Sequence, residues 1–206
     1  ANFVPTEECI LPTIISENTK LSLDCSPYLV PQDVTVLAGI SLVIPAGVVL
    51  HFSTDKNLTI LGDLQVEGTS DQLVQFLPNP AEGATHLGQL NFQNTTATSH
   101  LNWLEIIGAS RGKHPVRENA AISAWKANLD IDHLKITEIA GNPIFTQYSN
   151  ITLKNSQLHS EITGDLINVK YGFGQVENCD FRGNQRIDTD AIDFDEVENG
   201  IIRNNK

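Results

Sequence analysis

Residues 121–136 read "AISAWKANLDIDHLKI", and the chain repeats their pattern three times: "PIFTQYSNITLKNSQL" (143–158), "LINVKYGFGQVENCDF" (166–181) and "AIDFDEVENGIIRNNK" (191–206). The second residue of each segment is Ile122, Ile144, Ile167 or Ile192, in steps of 22, 23 and 25. A second apolar position returns at Ile131, Leu153, Val176 and Ile202, and a third at Ile136, Leu158 and Phe181. A helix-pair repeat needs more than about thirty residues, so a unit this short has no room for one. Its short alternating runs fit strands with one buried face. The unit is therefore one coil of an all-β solenoid whose strands stack about 4.8 Å apart on those of the coil before.

Stacking puts like residues over like. Asn155, Asn178 and Asn204 fall at one coil position, with His133 one coil earlier. The expectation is a structural ladder in which each side-chain amide bonds the next. Toward the N-terminus, "LGQLNFQNTTATSHLNWLEI" (87–106) reads as a further coil, with Leu90 and Phe92 in its first strand and Leu101, Trp103, Leu104 and Ile106 in its second. Gly39, Gly47, Gly62 and Gly68 mark corners where a positive φ suits glycine. Residues 108–120, "GASRGKHPVRENA", form a basic insertion between coils.

"DVTVLAGISLVIPAGVVLHF" (33–52) and "LTILGDLQVEGTSDQLVQF" (58–76), followed by Asn-rich coils, resemble the right-handed parallel β-helix of the pectate-lyase-like superfamily, over roughly residues 28–206. The spacing V-x-A-G-x-x-L-x-I-x-x-G-V from Val36 to Val48 is similar to the first coils of many bacterial extracellular β-helix proteins. The repeat steps give such a helix coils of about 22–25 residues. The resemblance does not choose a function, because this fold carries lyases, hydrolases, adhesins and passive stalks. Residues 1–27 read as an N-terminal cap, stapled by a Cys9–Cys25 disulfide, and 28–206 as the β-helix domain. Cys179 reads as a small buried hydrophobe. The last coil stops at Lys206, so a piece of a longer protein is expected, with further domains or a partner over that end.

The 206 residues carry a net charge of −12 with 40% hydrophobic residues. That charge repels phosphates and anionic membranes, so neither nucleic acid nor membrane insertion is expected. No run approaches the roughly 20 apolar residues of a membrane span. The chain holds no methionine. Together with the disulfide this points to a trimmed product in an oxidising, secreted or cell-surface setting.

Alternation assigns an outward row on the first strand of each coil: Ser123 and Trp125, Phe145 and Gln147, Asn168 and Lys170, Asp193 and Asp195, with Tyr148 and Tyr171 just after. Aromatic rings pack on the apolar faces of sugars, and amides and carboxylates bind their hydroxyls. Trp125, Phe145, Gln147, Tyr148, Asn168, Lys170, Tyr171, Asp193 and Asp195 are therefore the candidate glycan-binding residues. The competing expectation places these aromatics under the 108–120 loop. "DTDAIDF" (188–194) resembles the Asn-Thr-Asp-Gly-x-Asp motif of polygalacturonases, which implies catalytic roles for Asp190 and Asp193. Asp188 replaces the motif's Asn and Ala191 its Gly, and the family's later motifs are absent. A third reading of these carboxylates is calcium, for which Asp188, Asp190, Asp193 and Asp195 offer hard oxygens, though the sequence demands no cofactor. Six histidines show no paired zinc spacing. The favoured expectation is a secreted β-helix domain of a larger extracellular protein with a carbohydrate-binding or adhesive face. The alternatives are a polysaccharide lyase or glycoside hydrolase, and a passive spacer.

Overall fold

The computed structural model describes residues 9–114, 116–161, 164–183 and 189–206. They form an all-β parallel solenoid of about eight turns, built from three parallel sheets. The first sheet stacks Ile14–Ile15, Val34–Val36, Leu58–Ile60, Leu90–Gln93, Ala120–Trp125, Asn142–Gln147, Ile167–Lys170 and Ile192–Asp195. The second stacks Thr19–Lys20, Ser41–Pro45, Asp63–Glu67, Thr98–Asn102, Asn128–Asp132, Asn150–Lys154, Phe173–Glu177 and Ile201–Arg203. The third runs from Tyr28–Val30 through Val49–Phe52, Val74–Pro78, Leu104–Ile107, Lys135–Thr137 and Gln157–His159 to Asp180–Arg182.

The repeat register is the pairing register. Ile122, Ile144, Ile167 and Ile192 are successive ladder partners in the first sheet. So are Ile131, Leu153, Val176 and Ile202 in the second, and Ile136, Leu158 and Phe181 in the third. These inward columns form one continuous core in which most members are fully buried. Each such side chain stabilises the fold by roughly 1.5–3 kcal/mol through apolar area removed from water. Volumes compensate between neighbours: Phe92 lies beside Ala124 in one column, and the Phe194 ring fills the space that a side chain at Gly174 would need.

Of the local expectations, the strand shared by Leu101 and Leu104 and the role of Gly62 and Gly68 are corrected, while the disulfide and the buried Cys179 are met. Leu101 and Leu104 belong to different sheets, because Trp103 turns the chain between them at φ 51°. Pairing begins inside the segment read as a cap, with Ile14–Ile15 on Thr35 and Val36, and Thr19–Lys20 on Leu42 and Val43. The Cys9–Cys25 disulfide closes that first coil, and Cys179 is buried. Gly62 and Gly68 are required by close approach and not by φ. A β-carbon would lie 2.0 Å from the Ile40 carbonyl oxygen at the first and 2.4 Å from that of Trp103 at the second.

The asparagine ladder is also different in kind. Asn155, Asn178 and Asn204 are exposed and take φ of 49°, 56° and 57°, in line with Trp103 and His133. Asn tolerates this left-handed conformation better than most residues. The corner is held by backbone bonds: the N–H groups of Trp103, His133, Asn155 and Asn178 donate to the carbonyls of Asp132, Lys154, Glu177 and Arg203. The buried bonding lies one residue on, where Ser156 Oγ accepts from Leu134 N (3.0 Å) and Asn205 Oδ1 from Cys179 N (2.8 Å).

Candidate functional site

The outer side of the first sheet carries the predicted row, and the register stacks it as read. Ser123, Phe145, Asn168 and Asp193 form one column, and Trp125, Gln147, Lys170 and Asp195 the next. Most of it is not a free surface. Ser123 is fully buried, and Phe145, Gln147 and Asn168 are 7%, 8% and 5% exposed. The expected ribbon of exposed aromatics is thereby corrected.

Part of the cover is the basic insertion, organised around Glu118. Its Oε2 accepts from the Lys113 and His114 backbone N–H groups at 2.9 and 3.1 Å. Its Oε1 accepts from Asn91 Nδ2 and Gln93 Nε2 at 3.3 and 3.2 Å, tying the strap to the sheet. Arg117 lies 4.2 Å from the centre of the Trp125 ring, a cation–π contact that takes up this aromatic. Beneath the strap a groove of about 500 Å³ runs over Asp33, Thr35, Asn57, Thr59, Gln89 and Asn91.

Beyond the strap, the corner after the first sheet is open. Tyr148 and Tyr171 hold the left-handed turn position at φ 50° and 55°, which swings their rings off the strand. They are 50% and 42% exposed and stack with centroids 5.0 Å apart and planes 16° apart. Trp125 meets Tyr148 edge-on at 5.0 Å. The pair borders an open groove of about 490 Å³, whose other walls are Asn150, Gly172, Phe173, Glu196, Glu198 and Asn199. Gly172 fits because its missing β-carbon would lie 2.0 Å from the Ser149 carbonyl oxygen.

Next to this corner lie the predicted carboxylates. Asn168 Nδ2 donates to Asp165 Oδ2 at 2.9 Å and to Asp193 Oδ2 at 2.6 Å. Lys170 pairs with Asp195, a contact that raises the ammonium above its ordinary pKa against the opposing effect of burial. Burial first, then the charges of Asp195 and Asp165, push the Asp193 carboxyl up, against Lys170. Asp190 is exposed and adds a smaller repulsion to Asp193. A raised carboxyl beside a second acid is what proton transfer uses. Asp188 lies outside the described residues, and among the described residues no three His, Cys, Asp or Glu side chains are grouped to hold a metal ion.

Of the predicted ligand-binding residues, the structure brings Tyr148 and Tyr171 together at an accessible groove, sets Lys170, Asp193 and Asp195 beside it, and buries Phe145, Gln147 and Asn168. Sequence reasoning missed Asn150, Phe173, Glu196, Glu198 and Asn199. Glu196 was within reach, since it follows Asp195 as Tyr171 follows Lys170. The chain matches no protein-family model, and no curated protein or solved structure matches it significantly.

Proposed function

We propose that this chain is a secreted β-helix domain that binds carbohydrate through the Tyr148–Tyr171 corner, as an adhesive module of a larger extracellular protein. One observation carries the reading: two exposed, stacked tyrosines border a groove lined with amides and carboxylates. Exposed aromatic pairs of this kind leave apolar area unburied, which a sugar ring can cover while Asn150 and Asn199 take its hydroxyls. The resemblance of residues 33–76 to the pectate-lyase-like superfamily and the Cys9–Cys25 disulfide both support an extracellular setting.

The test is the size profile of fluorescent polysaccharides incubated with the protein. A shift to larger size that disappears in Tyr171→Ala, with the variant's fold intact by circular dichroism, is the expected result. The same profile reads the second possibility, a polysaccharide-cleaving activity, favoured by the raised Asp193 carboxyl beside Asp190. A shift to smaller size, abolished by Asp193→Asn, would replace binding by cleavage. No shift with any polysaccharide would leave a structural spacer.

A further inference from the structure

The groove at the tyrosine corner has a sign as well as a shape. Glu196 and Glu198 stand exposed on its wall. Among its described lining residues there is no cation. Of the nearby cations, Lys170 pairs with Asp195 and Arg203 with Glu177 at 2.6 Å, while Arg117 and Lys126 lie toward the Trp125 ring, 4.2 and 5.9 Å from its centre and on the far side of Tyr148 from the two glutamates. Asp193 and Asp165 add negative charge beside them, while Asp195 is offset by Lys170. An anionic sugar brought here meets repulsion from Glu196 and Glu198 and finds no cation for its carboxylate among the described lining residues. An ammonium group meets the opposite: two carboxylates for charge, and the π faces of Tyr148, Tyr171 and Phe173, which attract cations.

We infer that the ligand of this groove is a glycan carrying free amino groups, held by Glu196 and Glu198 and by cation–π contact with the tyrosine pair. The assignment rests on the carbohydrate-binding reading and makes it specific, since the aromatic corner alone would accept neutral sugars. The carboxylates act through water-exposed charge, so the preference weakens as salt shortens the screening length from about 10 Å at 0.1 M to about 3 Å at 1 M. Uronic-acid polymers, the substrates that the 188–194 motif resemblance implies, fall outside this selectivity.

The experiment is isothermal titration of the intact chain with three oligosaccharide probes of equal length: a glucosamine oligosaccharide with free amines, its fully N-acetylated counterpart, and a galacturonate oligosaccharide. The amine form is expected to bind at least tenfold more tightly than the acetylated form at 50 mM salt, with the gap closing at 1 M, and the uronate not to bind. Glu196→Gln/Glu198→Gln changes no buried group and is expected to erase the gap between the two forms. Equal binding of the amine and acetylated forms, or a gap that survives the double substitution, overturns the assignment and leaves the carbohydrate reading standing. Binding of none of the three sugars overturns both. Binding of an oligolysine peptide in the absence of any sugar binding overturns both as well, and gives the groove to a basic protein partner.

Discussion

Asn155 Nδ2 donates to Asp132 Oδ1, 2.7 Å away and one coil back. Its partner is the residue just before the left-handed corner, not the asparagine stacked upon it. What the asparagine column shares is a backbone conformation, with φ between 49° and 57°.

At Asn178, therefore, the residue is chosen for its φ of 56°. Asn178→Val should destabilise by about 1–2 kcal/mol, because a β-branched residue resists the left-handed region. Asn178→Gly should stay within about 0.5 kcal/mol of the parent, since glycine adopts it freely. Urea midpoints measure both. A glycine variant as unstable as the valine variant would return the stabilisation to the side-chain amide.

Gly172→Ala should cost about 3 kcal/mol, at the upper end of overpacking penalties. The added carbon would sit 2.0 Å from the Ser149 carbonyl oxygen and 2.9 Å from its nitrogen, and backbone cannot swing aside as a side-chain tip can. The thermal midpoint should fall, and Tyr171 fluorescence should change with it. An unchanged midpoint would mean that the corner shifts as a unit.

Glu105 is buried and bonded to Lys135 Nζ and Gln75 Nε2, each at 2.7 Å. Burial raises its carboxyl, but the Lys135 and Gln75 bonds together outweigh it and hold the pKa below the ordinary value. A depressed acid contributes stability above its unfolded pKa and loses it as pH falls through the folded one. Lys135→Met should cost about 2 kcal/mol at pH 7, less than a fully buried pair because the lysine is half exposed. The deficit should shrink on acidification below about pH 4. A deficit constant across that range would mean that lost packing, and not charge, is what Lys135 supplied.

Asp193 carries the opposite sign. Its raised carboxyl means that the charged form destabilises the fold, so the penalty is present above the folded pKa and absent below the unfolded one. Asp193→Asn keeps an acceptor for Asn168 and should stabilise by about 0.5 kcal/mol at pH 7, with no gain near pH 3. Denaturation midpoints at both pH values decide it. A loss at pH 7 would show that the carboxylate is wanted by Lys170.

The coil register was fully legible, because inward positions such as Ile122, Ile144 and Ile167 repeat in type and spacing, and a one-residue slip would have turned them outward. The exposure of the outward row was not. Alternation separates the two sides of a strand, but it does not say what lies over the outer one. Phe145 and Asn168 point away from the core and are buried all the same. The strap's attachment through Glu118 has no periodic signature, since it joins a unique loop to Asn91 and Gln93. The acidic wall at Glu196 and Glu198 was hidden for another reason. In the sequence it belongs to a terminal run of carboxylates, and only the coil geometry moves it beside Tyr171.

The covalent bond between Cys9 and Cys25 ties the first coil into a closed loop. The later coils are joined to one another only by backbone ladders and packing, since the third cysteine, Cys179, is free and buried. The tyrosine corner lies on three successive coils, with Tyr148, Tyr171 and Glu196 each following a strand of the first sheet. A ligand bridging Tyr171 to Glu196 would act as a clasp between two of them, doing without a covalent bond what the disulfide does at the first coil.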